Sequence, residues 1–181
     1  MDSMINKLSA VLFDEVAIRT RIKDIGFELS KVYADKNPVL ICILKGSIVF
    51  MSDLIRYMTI PIEIDFLSVA SYGHSNKSSG VVKIRKDIEL DITNRDVIVV
   101  EDIIDTGLSL QYITEYLQHH NAKSVATCVL INKKCVREVE VQVDYFGFEV
   151  ENEFIVGYGL DYSERYRNLP YIGILKKEVY S

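Results

Sequence analysis

Four β-branched residues, Val97-Ile98-Val99-Val100, run without a spacer into Glu101-Asp102-Ile103-Ile104-Asp105-Thr106-Gly107. A stretch that is apolar on both faces suits one setting, an interior strand of a parallel sheet covered by helices on both sides. The strand is expected to end at Val100, with the acids in the loop that follows. A helix should then begin after Gly107, with Leu110, Ile113 and Leu117 on one face and an end near His119-His120-Asn121.

The rest of the chain repeats this alternation. Ile18, Ile22, Ile25, Leu29 and Val32 recur at helical spacing and predict an amphipathic helix over residues 14–33. Pro38 stops it, and Val39–Leu44 reads as a second interior strand. Lys45-Gly46-Ser47 breaks that strand before a helix over Ile48–Met58. Further strands are expected at Ile60–Val69, Val81–Lys86, Val125–Ile131, Tyr145–Val150, Phe154–Tyr158 and Tyr171–Leu175. Residues 71–80, S-Y-G-H-S-N-K-S-S-G, form one polar loop. Strands alternating with helices imply an α/β fold with a mostly parallel central sheet. Ligands in such folds sit at the carboxyl ends of the strands, so the loops after Leu44, Val100 and Ile131 carry the site.

Composition narrows the class. A chain of 181 residues with 49% hydrophobic residues, 3 Pro and 9 Gly is neither disordered nor long enough for several domains. Cys42, Cys128 and Cys135 are odd in number and form no C-x-x-C pair, which argues against a disulfide framework or a zinc site. There is no leader pattern, and the longest apolar run, Pro38–Leu44, is far too short to span a bilayer. A soluble, cytoplasmic protein is expected. The net charge of −5 argues against a nucleic-acid partner.

Glu101, Asp102 and Asp105 repel one another unless water or a cation intervenes. Hard oxygen donors of this kind suit Mg²⁺, which takes one or two carboxylates plus waters and substrate oxygens. Thr106, Gly107, Leu108 and Ser109 open a helix whose first N–H groups lack partners and attract an anion. The segment is thus suited to a metal-linked sugar and a phosphate. A phosphoacceptor domain also gathers acids at strand ends, but from separate strands. His74, His119 and His120 read as solvated residues.

V-I-V-V-E-D-I-I-D-T-G-L-S-L closely resembles the phosphoribosyl-pyrophosphate (PRPP) motif of type I phosphoribosyltransferases, in the form found in their hypoxanthine-guanine branch. Leu44–Ser47 (L-K-G-S) resembles that branch's pyrophosphate loop, and Ser71–Gly73 (S-Y-G) the start of its mobile catalytic loop. Val143–Glu149 and Phe154–Tyr162, followed by Arg167, resemble its purine-pocket region. The likeness runs from about residue 12 to 176, with four motifs in order. Two positions depart from it. Leu108 stands where some members have Lys or Asn, and Ser47 replaces a second Gly, where a Cβ could restrict the backbone.

The resemblance implies one phosphoribosyltransferase domain over residues 1–181. Its mobile loop would span residues 70–83, and its hood and purine pocket residues 133–181 with N-terminal residues. It implies Mg²⁺-dependent transfer of phosphoribose from PRPP to N9 of a 6-oxopurine, releasing pyrophosphate. Glu101 and Asp102 would engage the ribose hydroxyls and Mg²⁺, and Asp105 would be the general acid/base facing N7. Thr106, Gly107, Leu108 and Ser109 would cradle the 5′-phosphate. Lys45 and Gly46 would meet pyrophosphate in a loop where members often carry a non-proline cis peptide, and Arg167 would contact it from elsewhere in the chain. Lys133 would read O6, Phe154 stack on the base and Ile155 offer its backbone to the 2-position edge. Asp161 would ligate a second Mg²⁺ and, with Ile155, contact the purine near its 2-position, and Ser71 and Tyr72 would begin the closing loop. Members usually form dimers or tetramers. A xanthine-preferring enzyme and a PRPP-sensing regulator are the alternatives.

Overall fold

The computed structural model describes residues 2–71 and 82–181. Its strands are β1 (Leu8–Phe13), β2 (Val39–Leu44), β3 (Glu63–Ser71), β4 (Val82–Lys86), β5 (Asp96–Ile104), β6 (Ser124–Asn132), β7 (Tyr145–Glu149), β8 (Ile155–Val156) and β9 (Ile172–Leu175). Its helices are α1 (Asp2–Ile5), α2 (Glu15–Val32), α3 (Ile48–Tyr57), α4 (Leu108–His119) and α5 (Lys177–Tyr180), with a 3₁₀ turn at Lys134–Val136.

Six strands form the main sheet in the order β4-β3-β2-β5-β6-β7. All neighbours run parallel except β4, which pairs antiparallel with β3. The chain leaves β2 toward one edge through β3 and returns to its other side with β5. The strand order therefore reverses between β2 and β5, and the crevice at their carboxyl ends is the favoured place for a ligand.

Alternation along the central strands divides the core. Leu40, Cys42, Ile98, Val100 and Cys128 pack under α2 and α3, against Ile22, Leu29, Phe50 and Leu54. Val39, Ile41, Ile43, Val97 and Val99 face α4, against Ile113 and Leu117. Helix α2 starts where Asp14 caps it, accepting the Ala17 N–H at 2.8 Å.

The structure shifts three expected boundaries. β5 does not end at Val100; Ile103 and Ile104 keep pairing with Ile131 and Asn132 of β6, so Glu101 and Asp102 lie on the strand. β3 begins at Glu63 rather than Ile60, because Pro61 has no N–H to give a ladder. The strand expected over Phe154–Tyr158 shrinks to Ile155–Val156, since Gly157 turns the chain at φ +102°.

A second sheet, β1-β9-β8, was not legible as such: β1 precedes the first expected helix. It encloses Leu8, Val156, Tyr166, Leu169 and Leu175. Phe13 at the end of β1 stacks on Phe148 of β7 at 4.0 Å and ties the two sheets together.

Asp65 on β3 is 5% exposed and accepts three N–H groups, from Phe66 (2.7 Å), Glu89 (2.6 Å) and Leu90 (2.9 Å), with Lys86 3.8 Å away. Burial pushes its pKa up, but the amides and Lys86 together hold it below the usual carboxylate range. Its stabilising effect is therefore present above the unfolded-state pKa and lost as pH falls through the lower folded value. Asp65→Ala leaves buried donors unpaired, a loss of about 1–3 kcal/mol. In a thermal melt near neutral pH this lowers Tm by roughly 2–4 °C per kcal/mol. An unchanged Tm would show that water satisfies the three amides.

Candidate active site

The chain passes close to itself where β2 ends. The Leu44–Lys45 peptide is cis. A Cβ on Gly46 would lie 1.6 Å from Asp102 Oδ2 and 3.2 Å from the Gly159 carbonyl oxygen. Gly159, at φ +99°, would place a Cβ 2.1 Å from the Gly46 carbonyl oxygen. Gly159 admits no side chain, one at Gly46 must displace the Asp102 carboxylate, and the two backbones come together beside that carboxylate. Ser47 settles the doubt its Cβ raised: its φ of −66° and ψ of −9° suit any residue, and its buried hydroxyl donates to the Ile43 carbonyl.

Glu101 and Asp102 occupy successive positions on β5 and reach adjoining cavities, Glu101 the smaller and Asp102 the larger. Burial raises the pKa of Glu101 well above the carboxylate range, and the neighbouring Asp102 raises it further. Burial also raises Asp102, although the Ile103 amide at 3.0 Å and the Arg167 charge oppose it. Glu101 Oε2 is buried without a hydrogen-bond partner. Two crowded carboxylates with an orphaned oxygen fit a hard dication that completes its shell with water and substrate oxygens, as Mg²⁺ does. Among the described residues no three His, Cys, Asp or Glu side chains gather to hold a metal by themselves.

After Ile104 the chain turns through Asp105-Thr106-Gly107 into α4. Gly107 sits at φ +89° and ψ −13°, and a Cβ there would meet Arg137 Cδ at 2.9 Å. The Thr106 carbonyl accepts from Glu138 (2.9 Å) and Val139 (3.3 Å), so the segment after the 3₁₀ turn braces this turn. No side chain caps α4, and its first turn holds no acid. Among the described residues the Leu108 N–H has only the Thr106 hydroxyl, at 3.4 Å. The turn and the start of α4, where the helix dipole is positive, border a cavity of about 120 Å³ lined by Glu101, Asp105, Thr106, Gly107 and Ser109.

The larger cavity, about 240 Å³, is lined by Asp102, Asp105, Lys133, Phe154, Ile155 and Asp161. Asp105 lines both cavities. Lys133 is 8% exposed, and among the described residues no carboxylate or carbonyl takes its ammonium. Lys134 beside it is exposed and pairs with Glu149. Phe154, partly exposed, stacks on Tyr180 of α5 at 4.5 Å and meets Tyr162 edge-on at 5.6 Å.

At the mouth of the site Arg167 donates to the Gly159 carbonyl (2.8 Å) and pairs with Asp161 Oδ1 (2.8 Å). Glu164 bridges Arg167 (3.2 Å) and Lys45 (3.0 Å). Asp161 Oδ2 accepts the Glu164 N–H, so both its oxygens are engaged.

All the expected site residues that the structure describes in full fall in this one region. Ser71 ends β3. Tyr72, His74 and the loop around them lie outside the described residues. His119 and His120 are exposed at the end of α4, with Nδ1 on backbone carbonyls. Sequence reasoning missed Gly159, Glu164, Arg137 and Tyr180. The G-Y-G spacing around Gly159 was a usable signal; the other three carried none.

A family model for the phosphoribosyl transferase domain matches residues 12–163. The hypoxanthine-guanine phosphoribosyltransferase of Streptococcus thermophilus is 48% identical over 174 residues, 96% of this chain and 97% of its own length. The bifunctional TilS/HprT protein of Listeria monocytogenes is also 48% identical, over 99% of this chain, and the chain spans only 28% of that protein. The crystal structure of a hypoxanthine phosphoribosyltransferase from Staphylococcus aureus superposes with a TM-score of 0.96 at 46% identity, covering 99% of this chain and 97% of that one. An acid pair on a buried strand, a glycine turn into an uncapped helix and a match across most of the sequence lead to one conclusion: the chain belongs to the phosphoribosyl transferase domain family, with the type I fold.

Proposed function

We propose that this chain transfers the 5-phosphoribosyl group of PRPP to N9 of hypoxanthine or guanine, giving the nucleoside 5′-monophosphate and pyrophosphate. The observation that carries this reading is Lys133, a largely buried lysine whose ammonium meets no carboxylate or carbonyl among the described residues, on the wall of a cavity that also holds Phe154 and Asp105. A 6-oxo group supplies the missing acceptor. The 6-amino group of adenine would set a donor against a donor.

The remaining roles follow from position. Amides at the start of α4 and the Ser109 hydroxyl hold the 5′-phosphate. Glu101 and Asp102 hold the ribose hydroxyls and, with Asp161 near pyrophosphate, would hold Mg²⁺. That ion, when bound, neutralises charge on the departing pyrophosphate. With that ion bound to keep both carboxyl groups ionised, the pair would also suit a ribose that becomes cationic as the C1′–O bond breaks. Asp105 sits between the cavities, where it handles the proton at N7 while N9 attacks C1′. Phe154 presents a ring to the base, and Ile155 its backbone. Lys45, Gly46 and Arg167 meet pyrophosphate. The reading extends to a homo-oligomer, supported by the exposed Val16, Phe27, Val32 and Ile48. It extends also to the cytoplasm, supported by three free cysteines.

A spectrophotometric assay with PRPP, Mg²⁺ and hypoxanthine, guanine, xanthine or adenine in parallel tests it. Turnover is expected with hypoxanthine and guanine and not with adenine. No turnover with any 6-oxopurine overturns the enzyme reading, and a preference for xanthine moves the substrate. Loss of one charge-assisted hydrogen bond in Lys133→Ala lowers the preference for hypoxanthine over adenine by about tenfold or more. An unchanged ratio removes Lys133 from base recognition.

A further inference from the structure

Glu164 is placed with unusual care for an exposed acid. It sits at φ +61°, beside Ser163 at +52° and near Tyr166 at +77°, a region that non-glycine residues seldom enter. Reciprocal backbone hydrogen bonds of 3.1 Å between Tyr162 and Arg165 close the turn around it, and its own N–H is held by Asp161 at 2.8 Å. This turn aims the carboxylate across the mouth of the site to Lys45, 119 residues away in sequence. One oxygen meets Lys45 Nζ at 3.0 Å and the other Arg167 Nη2 at 3.2 Å.

We propose that Glu164 is an internal counter-anion at the pyrophosphate subsite: its carboxylate occupies Lys45 and Arg167 in the free enzyme and is displaced when pyrophosphate binds. The proposal rests on the assignment of Lys45 and Arg167 to pyrophosphate made above. The side chains of Lys45 and Glu164 are 69% and 64% exposed, so their pair is weak and readily exchanged. Arg167 stays oriented after the exchange, because Asp161 and the Gly159 carbonyl still hold it. Glu164 thus weakens pyrophosphate binding through competition. Product leaves more easily, and the two cations remain in place between turnovers.

Calorimetric titration of inorganic pyrophosphate with Mg²⁺ present tests this on the wild type, Glu164→Gln, Glu164→Asn, Lys45→Ala and Arg167→Ala. Asn tolerates the left-handed backbone well and guards against a misfolded turn in the Gln variant. Both Glu164 variants are expected to bind pyrophosphate about three- to tenfold more tightly, the scale of two exposed ion pairs. Affinity for a nucleoside 5′-monophosphate should stay level. If the Glu164 variants bind pyrophosphate no more tightly while Lys45→Ala and Arg167→Ala weaken it, the counter-anion proposal fails and the subsite stands. If Lys45→Ala and Arg167→Ala leave pyrophosphate affinity unchanged, the subsite assignment fails and takes the proposal with it. Equal tightening of the monophosphate would also overturn the proposal, because it would mark a general charge effect.

Discussion

Replacing Asp105 by Asn lowers kcat by about 10²–10⁴-fold, the scale of one general acid–base contribution. Asn keeps the size of the side chain and its place at the turn into α4, but it cannot take or return a proton. Asp105 lines both cavities, so it can reach the base while its backbone belongs to the phosphate turn. The turn itself is braced from elsewhere, by Glu138 and Val139 on the Thr106 carbonyl and by Arg137 against Gly107. PRPP affinity should therefore survive the substitution. Steady-state kinetics with hypoxanthine, together with direct PRPP binding, separates the two effects. An unchanged kcat removes Asp105 from proton handling, and a lost PRPP affinity shows instead that its charge builds the turn.

Gly46→Ala should lower kcat/KM by about 10²-fold, the usual result of displacing a reacting group by about 1 Å. The new methyl would fall 1.6 Å from Asp102 Oδ2 and 2.6 Å from its Cγ, so either the carboxylate or the whole loop must move. The loop has little room, since the Gly159 carbonyl oxygen is 3.2 Å from the same methyl. The carboxylate is the softer party, and its displacement removes one of the two acids assigned to ribose and Mg²⁺. A thermal melt beside the kinetics shows whether the loss is local. Wild-type kcat/KM with a wild-type Tm would show that Asp102 turns aside freely and that its observed position is dispensable.

The central strands and the phosphate turn were legible because their physics is local. Val97–Val100 and Val39–Leu44 are apolar on both faces, and an Asp-Thr-Gly turn before an apolar helix stripe announces an anion site. The extension of β5 through Ile104 was not, because acids at a strand end look like loop residues until β6 is known to pair beside them. β1 was hidden for a similar reason: its partner β9 lies at the other end of the sequence, and its burial alternates irregularly. Lys133 and Lys134 look alike in a sequence, and only the fold buries the first and leaves the second in water. Glu164 gave no signal, since its meaning depends on a lysine far away in the chain. Resemblance to a family carried the base-side residues that periodicity could not.

The walls of the two cavities come from different parts of the chain. The smaller one is built wholly from the stretch Glu101–Leu110, a single strand, turn and helix start. The larger one borrows Asp102, Ile103 and Asp105 from that stretch but takes Lys133 from the end of β6 and Phe154, Ile155, Leu160 and Asp161 from the second sheet and its turn. On the proposed reading the grip on phosphoribose is one continuous cassette, whereas the choice of base is composed from separately encoded pieces. Such an arrangement lets mutation retune which base is accepted, position by position, without rebuilding the part that holds the sugar phosphate.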